Sequence, residues 1–228
     1  MTEPAKESTP AAHRTLSDQA YTRLRHDVIH GDFAPGSKLG IEQLRSAYAV
    51  GATPLREALH RLSAEGFVVV EGQRGFRVAD ISARELRELT ELRIAIEGMA
   101  LRESLARADD DWESQVVVAF HHLQKIEKQA EPEPVLWEAR NNAFHLALIS
   151  QCESRWLLRI YELLYDQHRR YRIIARVDRG DRDIHGEHEA MMEAALARDI
   201  AALLAAHEAH IRNTVRALEH RLNFEPSP

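Results

Sequence analysis

Hydrophobic residues recur at helical spacing along most of the chain. From Leu16, the residues Tyr21, Leu24, Val28 and Ile29 share one helical face until "HGDFAPGSKL" stops the pattern. Gly31 is placed to cap that helix, and Pro35-Gly36 to turn the chain. "IEQLRSAYAV" predicts a short second helix with Ile41, Leu44 and Tyr48 inward, interrupted by Gly51-Ala52. A third helix is expected to open with Thr53 as N-cap and Pro54 at the first helical position, where a missing N–H is no loss. It turns Leu55, Leu59 and Leu62 inward and ends at Glu65-Gly66. The period then changes. "FVVV" and "FRV", separated by "EGQRG", predict a β-hairpin with Arg74 at its tip and Arg77 beside it.

Past residue 80 the strand signature vanishes and the pattern is helical throughout. "ISARELRELTELRIAIEGMALRESLA" starts with a capping-box spacing, Ser82 to Glu85, and its period puts Leu86, Leu89, Leu92, Ile96 and Met99 on one face. "DDDWESQVVVAFHHLQKIEKQ" follows, with acids at the positive end of the helix dipole. "EPEP" breaks the chain, and four more helical segments complete a predicted bundle of about six helices. The expected layout is a disordered tail over 1–15, a DNA-binding domain over 16–79 and an all-helical domain over 80–222. The fold class is mostly α, a winged helix-turn-helix followed by an all-α bundle.

Composition narrows the class. The 228 residues are 44% hydrophobic and 29% charged, which fits two modest soluble domains. No apolar run approaches the roughly 20 residues of a membrane helix, and "MTEPAKESTPAAHRT" lacks an apolar signal core. A lone cysteine, Cys152, leaves no intramolecular disulfide and points to a reducing cytoplasm. The net charge of −6 divides unevenly. Residues 16–79 carry eight Lys/Arg against seven Asp/Glu, or +1, and residues 80–228 carry twenty against twenty-seven, or −7. A neutral-to-basic front on an acidic rear is compatible with nucleic acid, since only the contacting face needs positive charge.

In a winged helix-turn-helix, the start of the second helix of the turn reads base edges in the major groove. Arg56 lies near that end of the third helix and off its apolar stripe. The expected DNA-contacting set is Lys38, Arg45, Thr53, Arg56, His60, Gln73 and Arg74, with Arg74 carried by the wing to phosphate or the minor groove. The alternative for Arg56 is a surface ion pair with Glu57 or Glu65.

The rear half carries the candidate ligand chemistry. Asn141 and His145 stand at i and i+4, hence on one helical face. "HGEHEAMM" offers His185 and His188, and "HEAHIRN" offers His207 and His210. Periodicity puts His188 with Met191, Met192 and Ala195, and His210 with Leu203, His207 and Thr214. Three helices can thus each aim an imidazole at one interior point. Three imidazoles with an oxygen donor suit a borderline divalent ion, zinc being the simplest choice and nickel or manganese compatible. Histidines that merely bond neighbours remain the alternative. HExxH and GxSxG are both absent, and Glu187 and Glu189 are read as pointing away from His188, so an enzyme is not expected. Arg93 falls close to the apolar side of its helix. Its partner is either Glu97, one turn on, or a ligand carboxylate. Arg172 follows "HRRY" in a basic patch.

The motifs resemble a family. "LREALHRLSAEGFV" with "GQRGFRVADIS" resembles the N-terminal domain of GntR-type bacterial repressors. "ELRIAIEGMA", "NNAFHLALI", "GEHEAMMEAALARD" and "AAHEAHI" are similar to the FCD effector domain of the FadR subgroup. The resemblance spans about residues 16 to 222, and "AFHLALISQCESRWLLRIYELLYDQHRRYR" looks most like the glutarate-responsive CsiR/GlaR type. It implies that Thr53 and Arg56 start the recognition helix and that Gly72 and Gly75 flank the wing tip. It further implies that His145, His188 and His210 are metal ligands, with Asn141 where an Asp often completes the set. Arg93 matches an arginine lining the effector cavity, and Arg172 a basic position on a neighbouring helix. Two departures stand out. Ala52 replaces an arginine that many relatives carry before the Thr-Pro, and Asn141 removes a negative charge from the metal shell.

The expectation is a cytoplasmic, homodimeric, ligand-responsive repressor on an imperfect palindromic DNA operator. Its effector would be a small organic acid, for example a dicarboxylate such as glutarate, bound with a divalent metal. A metal-dependent enzyme on the bundle, or a bundle that only dimerises, are the alternatives.

Overall fold

The computed structural model describes residues 15–72, 75–175 and 182–222. The chain divides at Asp80 into two compact units. In the first, helix α1 (Leu16–His30) starts from a capping box in which Thr15 and Asp18 satisfy each other's backbone N–H. Gly31, at φ 79°, closes it in the left-handed conformation. Helices α2 (Ile41–Tyr48) and α3 (Ala52–Ala64) follow. Ala20, Leu24 and Val28 meet Leu55, Leu59 and Leu62 in a fully buried core.

The start of α3 differs from the expectation. Gly51 occupies the N-cap without a side-chain hydrogen bond, and Thr53 is already the second helical residue. Pro54 is tolerated at the third because first-turn N–H groups have no intrahelical partner anyway. The hairpin pairs β2 (Val68–Val70) antiparallel to β3 (Phe76–Val78). A further strand, β1 (Lys38–Leu39), adds to the other edge of β3 and gives the order β1-β3-β2. Two residues are too few to carry a period, so β1 left no mark in the pattern. Gln73 and Arg74 lie outside the described residues.

The second unit contains α4 (Ala83–Ala106), α5 (Asp110–Glu127), α6 (Pro134–Leu148), α7 (Arg155–Ala175), α8 (Ile184–Leu196) and α9 (Ile200–Arg221). Packing joins α5 to α6 and α8, α8 to α9, and α4 to α7 and α9. Trp112, Val116, Phe120, Phe144, Leu148, Tyr161 and Met191 form the apolar core. Ser82 caps α4 by accepting from Glu85 N, while the Glu85 carboxylate bonds the Tyr171 hydroxyl instead of closing the box.

Helix α4 does not bury the face its apolar period indicates. Leu92 and Met99 are each 52% exposed, whereas Thr90, Arg93, Glu97 and Ser104 are buried. The polar groups turn inward because partners await them. Thr90 donates to Leu86 O, Arg93 meets Glu97 on its own helix, and Glu97 meets His207 on α9.

Candidate DNA-reading face and candidate metal and effector site

In the first unit, the outer side of α3 presents Thr53, Arg56 and His60 to solvent. Among the described residues no hydrogen bond or ion pair engages Arg56. Glu65, a partner considered for it, bonds Tyr21 and Arg25 instead. Lys38 is exposed on β1, and Arg45 makes an exposed pair with Glu42 at 2.8 Å. Such a pair is worth little and yields readily to phosphate. His60 packs edge-on to Phe76, ring centroids 5.1 Å apart, which ties α3 to the wing strand.

In the second unit three histidines converge. His145 on α6, His188 on α8 and His210 on α9 are buried, and one donor atom from each lies within 4.8 Å of the others. Two of the rings have their tautomer assigned by a carboxylate. Glu127 Oε1 lies 2.8 Å from His188 Nδ1, and Glu187 Oε2 lies 2.9 Å from His210 Nδ1. Each carboxylate accepts an Nδ1–H, so each Nε2 presents a lone pair. Nε2 of His188 is buried with no hydrogen-bond partner. Burial, then the neighbouring imidazoles, pushes His145 well below the usual histidine range. His210 moves the same way, from burial first and then His188 and Arg182. At those two positions a cation therefore meets a neutral ring.

Asn141 sits one turn before His145. Its Nδ2 donates to the Tyr165 hydroxyl at 2.9 Å, which directs Oδ1 elsewhere, and that buried oxygen has no partner. Three imidazole nitrogens and one amide oxygen fit a divalent ion such as zinc. Glu187, which the sequence places away from His188, reaches His210 on α9, and its other oxygen accepts from Asn213 at 2.8 Å. Glu127, on α5, had no signal in the sequence, because only the packing of α5 on α8 brings it to His188.

The two arginines differ. Arg93 is 2% exposed and donates through Nε to Glu97 at 2.6 Å. Glu97 in turn lies 2.7 Å from His207 Nε2. Burial alone would raise Glu97, but Arg93 and His207 outweigh it and hold the carboxyl at about 2. Arg172 makes a two-point contact with Glu138, Nε at 3.1 Å and Nη2 at 2.8 Å. Burial disfavours its charge, and Glu138 more than restores it, raising Arg172 above the usual arginine range. Both guanidiniums lie over the Tyr165 ring, at 5.4 and 5.2 Å from its centroid. The internal partner expected for Arg93 is thus present.

Known proteins resemble the chain over nearly all of it. The gntR family of bacterial regulatory proteins matches residues 16–78, and the FCD domain matches residues 88–213. BphR, an HTH-type transcriptional regulator of Paraburkholderia xenovorans, is 40% identical over 207 residues, 89% of this chain and 84% of its own. GlaR, an HTH-type transcriptional repressor of Escherichia coli, is 40% identical over 189 residues, 79% of this chain and 86% of its own. The structure of E. coli McbR/YncC superposes with a TM-score of 0.77 at 20% identity, covering 92% of this chain and 99% of that one. The metal-free FCD domain of TM0439 gives a TM-score of 0.53 at 16% identity, over 64% of this chain and 99% of that one. The chain belongs to the gntR family and carries an FCD domain. It is a transcriptional regulator, not an enzyme. Among the described residues no helix is long and apolar enough to cross a membrane.

Proposed function

We propose that this protein is a cytoplasmic, homodimeric repressor that releases or retains its operator in response to a small organic acid bound beside a divalent metal. The observation that carries this reading is the convergence of His145, His188 and His210 in the bundle interior, with carboxylates on two of the rings and a buried, unpartnered Asn141 oxygen one turn before His145. A buried polar atom without a partner is costly, so these atoms stand ready for one. The metal would be held by those three nitrogens and by Asn141 Oδ1, and would supply positive charge for an oxygen of the effector. Asn141 is neutral, so the ion's hold is weaker than with an aspartate there and gains more from a carboxylate ligand.

Arg93 is the arginine suited to the acid. Its Nε is fixed by Glu97, and among the described residues no hydrogen bond engages its terminal nitrogens. That leaves the fork which binds a carboxylate with two parallel bonds. On the DNA side, Arg56 and Thr53 at the start of α3 would read base edges. Lys38, Arg45, His60, Gln73 and Arg74 would add backbone and wing contacts, so that two copies bind the half-sites of an imperfect palindrome. The 52% exposure of Leu92 and Met99 on α4 provides apolar surface for a second copy to cover. A coupling of about 1–3 kcal/mol between the sites would change operator affinity roughly 5- to 150-fold.

The test uses purified full-length protein and an operator recovered by selection from random duplexes. Elemental analysis should find about one divalent ion per chain, and glutarate, succinate or 2-hydroxyglutarate should shift both melting and operator binding. If neither metal nor any of these acids binds, the sensing role fails while the DNA-binding role stands.

A further inference from the structure

One face of α7, the helix that packs on α4, carries the buried Tyr161, Tyr165 and His168 and the half-buried Arg172. His168 is fully buried, and its Nδ1 lies 3.3 Å from Arg172 Nη1. A guanidinium can only donate, so Nδ1 is the acceptor and the proton of the neutral ring sits on Nε2. The ring is neutral because burial first, and then the positive charges of Arg93 and Arg172, push it well below the usual histidine range. This is the reverse of His188, and of His210, where the Glu187 carboxylate at 2.9 Å outweighs Arg182 at 3.4 Å on the same Nδ1. There a carboxylate takes the Nδ1 proton and leaves Nε2 a lone pair fit for a cation. Here an arginine donates into Nδ1 and leaves Nε2–H, a donor fit for an oxygen.

That donor has no acceptor. Nε2 of His168 is buried without a hydrogen-bond partner, and so is the Tyr161 hydroxyl two turns earlier on the same face. Arg172 cannot turn away to bind a ligand without abandoning its two-point contact with Glu138, which is itself buried. We propose that His168 is an effector-recognition residue whose Nε2–H donates to a carboxylate oxygen of the organic acid, and that Arg172 is the positioning residue that fixes the His168 tautomer. The effector thus meets Arg93 from α4 and His168 from α7, with the Tyr161 hydroxyl available to a further oxygen. A dicarboxylate, with acceptors at both ends and no donors, is the ligand class this polarity fits. The inference rests on the acid-sensing reading above.

Two measurements test it. Nitrogen-15 NMR of histidine-labelled protein should show His168 as the neutral Nε2–H tautomer, and Arg172→Met should release that preference. Calorimetry with glutarate then compares His168→Gln, whose amide nitrogen overlays Nε2, with His168→Asn, whose amide overlays Nδ1. The Gln variant should bind within about threefold of wild type, and the Asn variant at least about tenfold more weakly. Wild-type affinity in His168→Asn, or an Nδ1–H tautomer in the unaltered protein, overturns the proposal. Absence of binding by wild type itself overturns the acid-sensing reading, and this inference with it.

Discussion

Replacing Glu97 by glutamine isolates the buried charge at the centre of the helical unit. Glu97 is 2% exposed, accepts from Arg93 Nε at 2.6 Å and lies 2.7 Å from His207 Nε2. Glutamine keeps the shape and a carbonyl acceptor for His207 but leaves the Arg93 guanidinium buried without a counter-charge. Breaking one side of a buried pair in this way costs about 3–5 kcal/mol. For a unit of this size, each kcal/mol corresponds to about 2–4 °C, so the transition should fall by roughly 6–20 °C. Circular dichroism melting with urea unfolding would measure it. The double variant Arg93→Met/Glu97→Gln removes the stranded charge and retains the bond to His207, so it should recover much of the loss. It should also lose glutarate binding, because the carboxylate fork has gone. A single variant within about 1 kcal/mol of wild type, or a double variant less stable than the single, would refute the claim that Glu97 is the counter-ion of Arg93.

Three further outcomes are expected. Arg56→Ala should abolish selective operator binding with melting unchanged, as the side chain is exposed and unengaged among the described residues; gel shifts against specific and scrambled duplexes decide it. Glu127→Gln should weaken zinc about 10–100-fold, measured by chelator competition, because it loosens the orientation and basicity of His188; unaltered affinity would deny Glu127 that role. Glu97, depressed from 4.5 to about 2, stabilises the fold fully above its unfolded value and loses that contribution as pH falls through its folded one. Acid unfolding should therefore steepen between about pH 4.5 and 2. Glu97→Gln should flatten that limb, and an identical slope in the variant would count against the assignment.

The first unit was legible almost residue by residue, apart from the cap of α3 and strand β1. Gly31, the Leu55-Leu59-Leu62 stripe and the change of period at Phe67 act within a few residues of themselves, so their consequences are local. The three converging histidines were legible as candidates because i and i+4 spacing fixes a face before any packing is known. What lies beyond the spacing was not. Glu127, Glu138 and His168 reach their partners from other helices or across a turn whose polarity no sequence pattern reveals.

By itself, then, the sequence determined the elements, the winged front, the helical rear and the residue types able to hold a cation, all of which follow from short-range periods and caps. Only the tertiary structure decided which side of α4 faces inward. There the apolar count favoured Leu92 and Met99, yet Arg93 and Glu97 were buried, because α9 supplies a counterpart for Glu97 and α7 an aromatic ring for Arg93. Packing also set the polarity of each imidazole, since whether a buried ring offers a proton or a lone pair depends on the neighbour that reaches its other nitrogen.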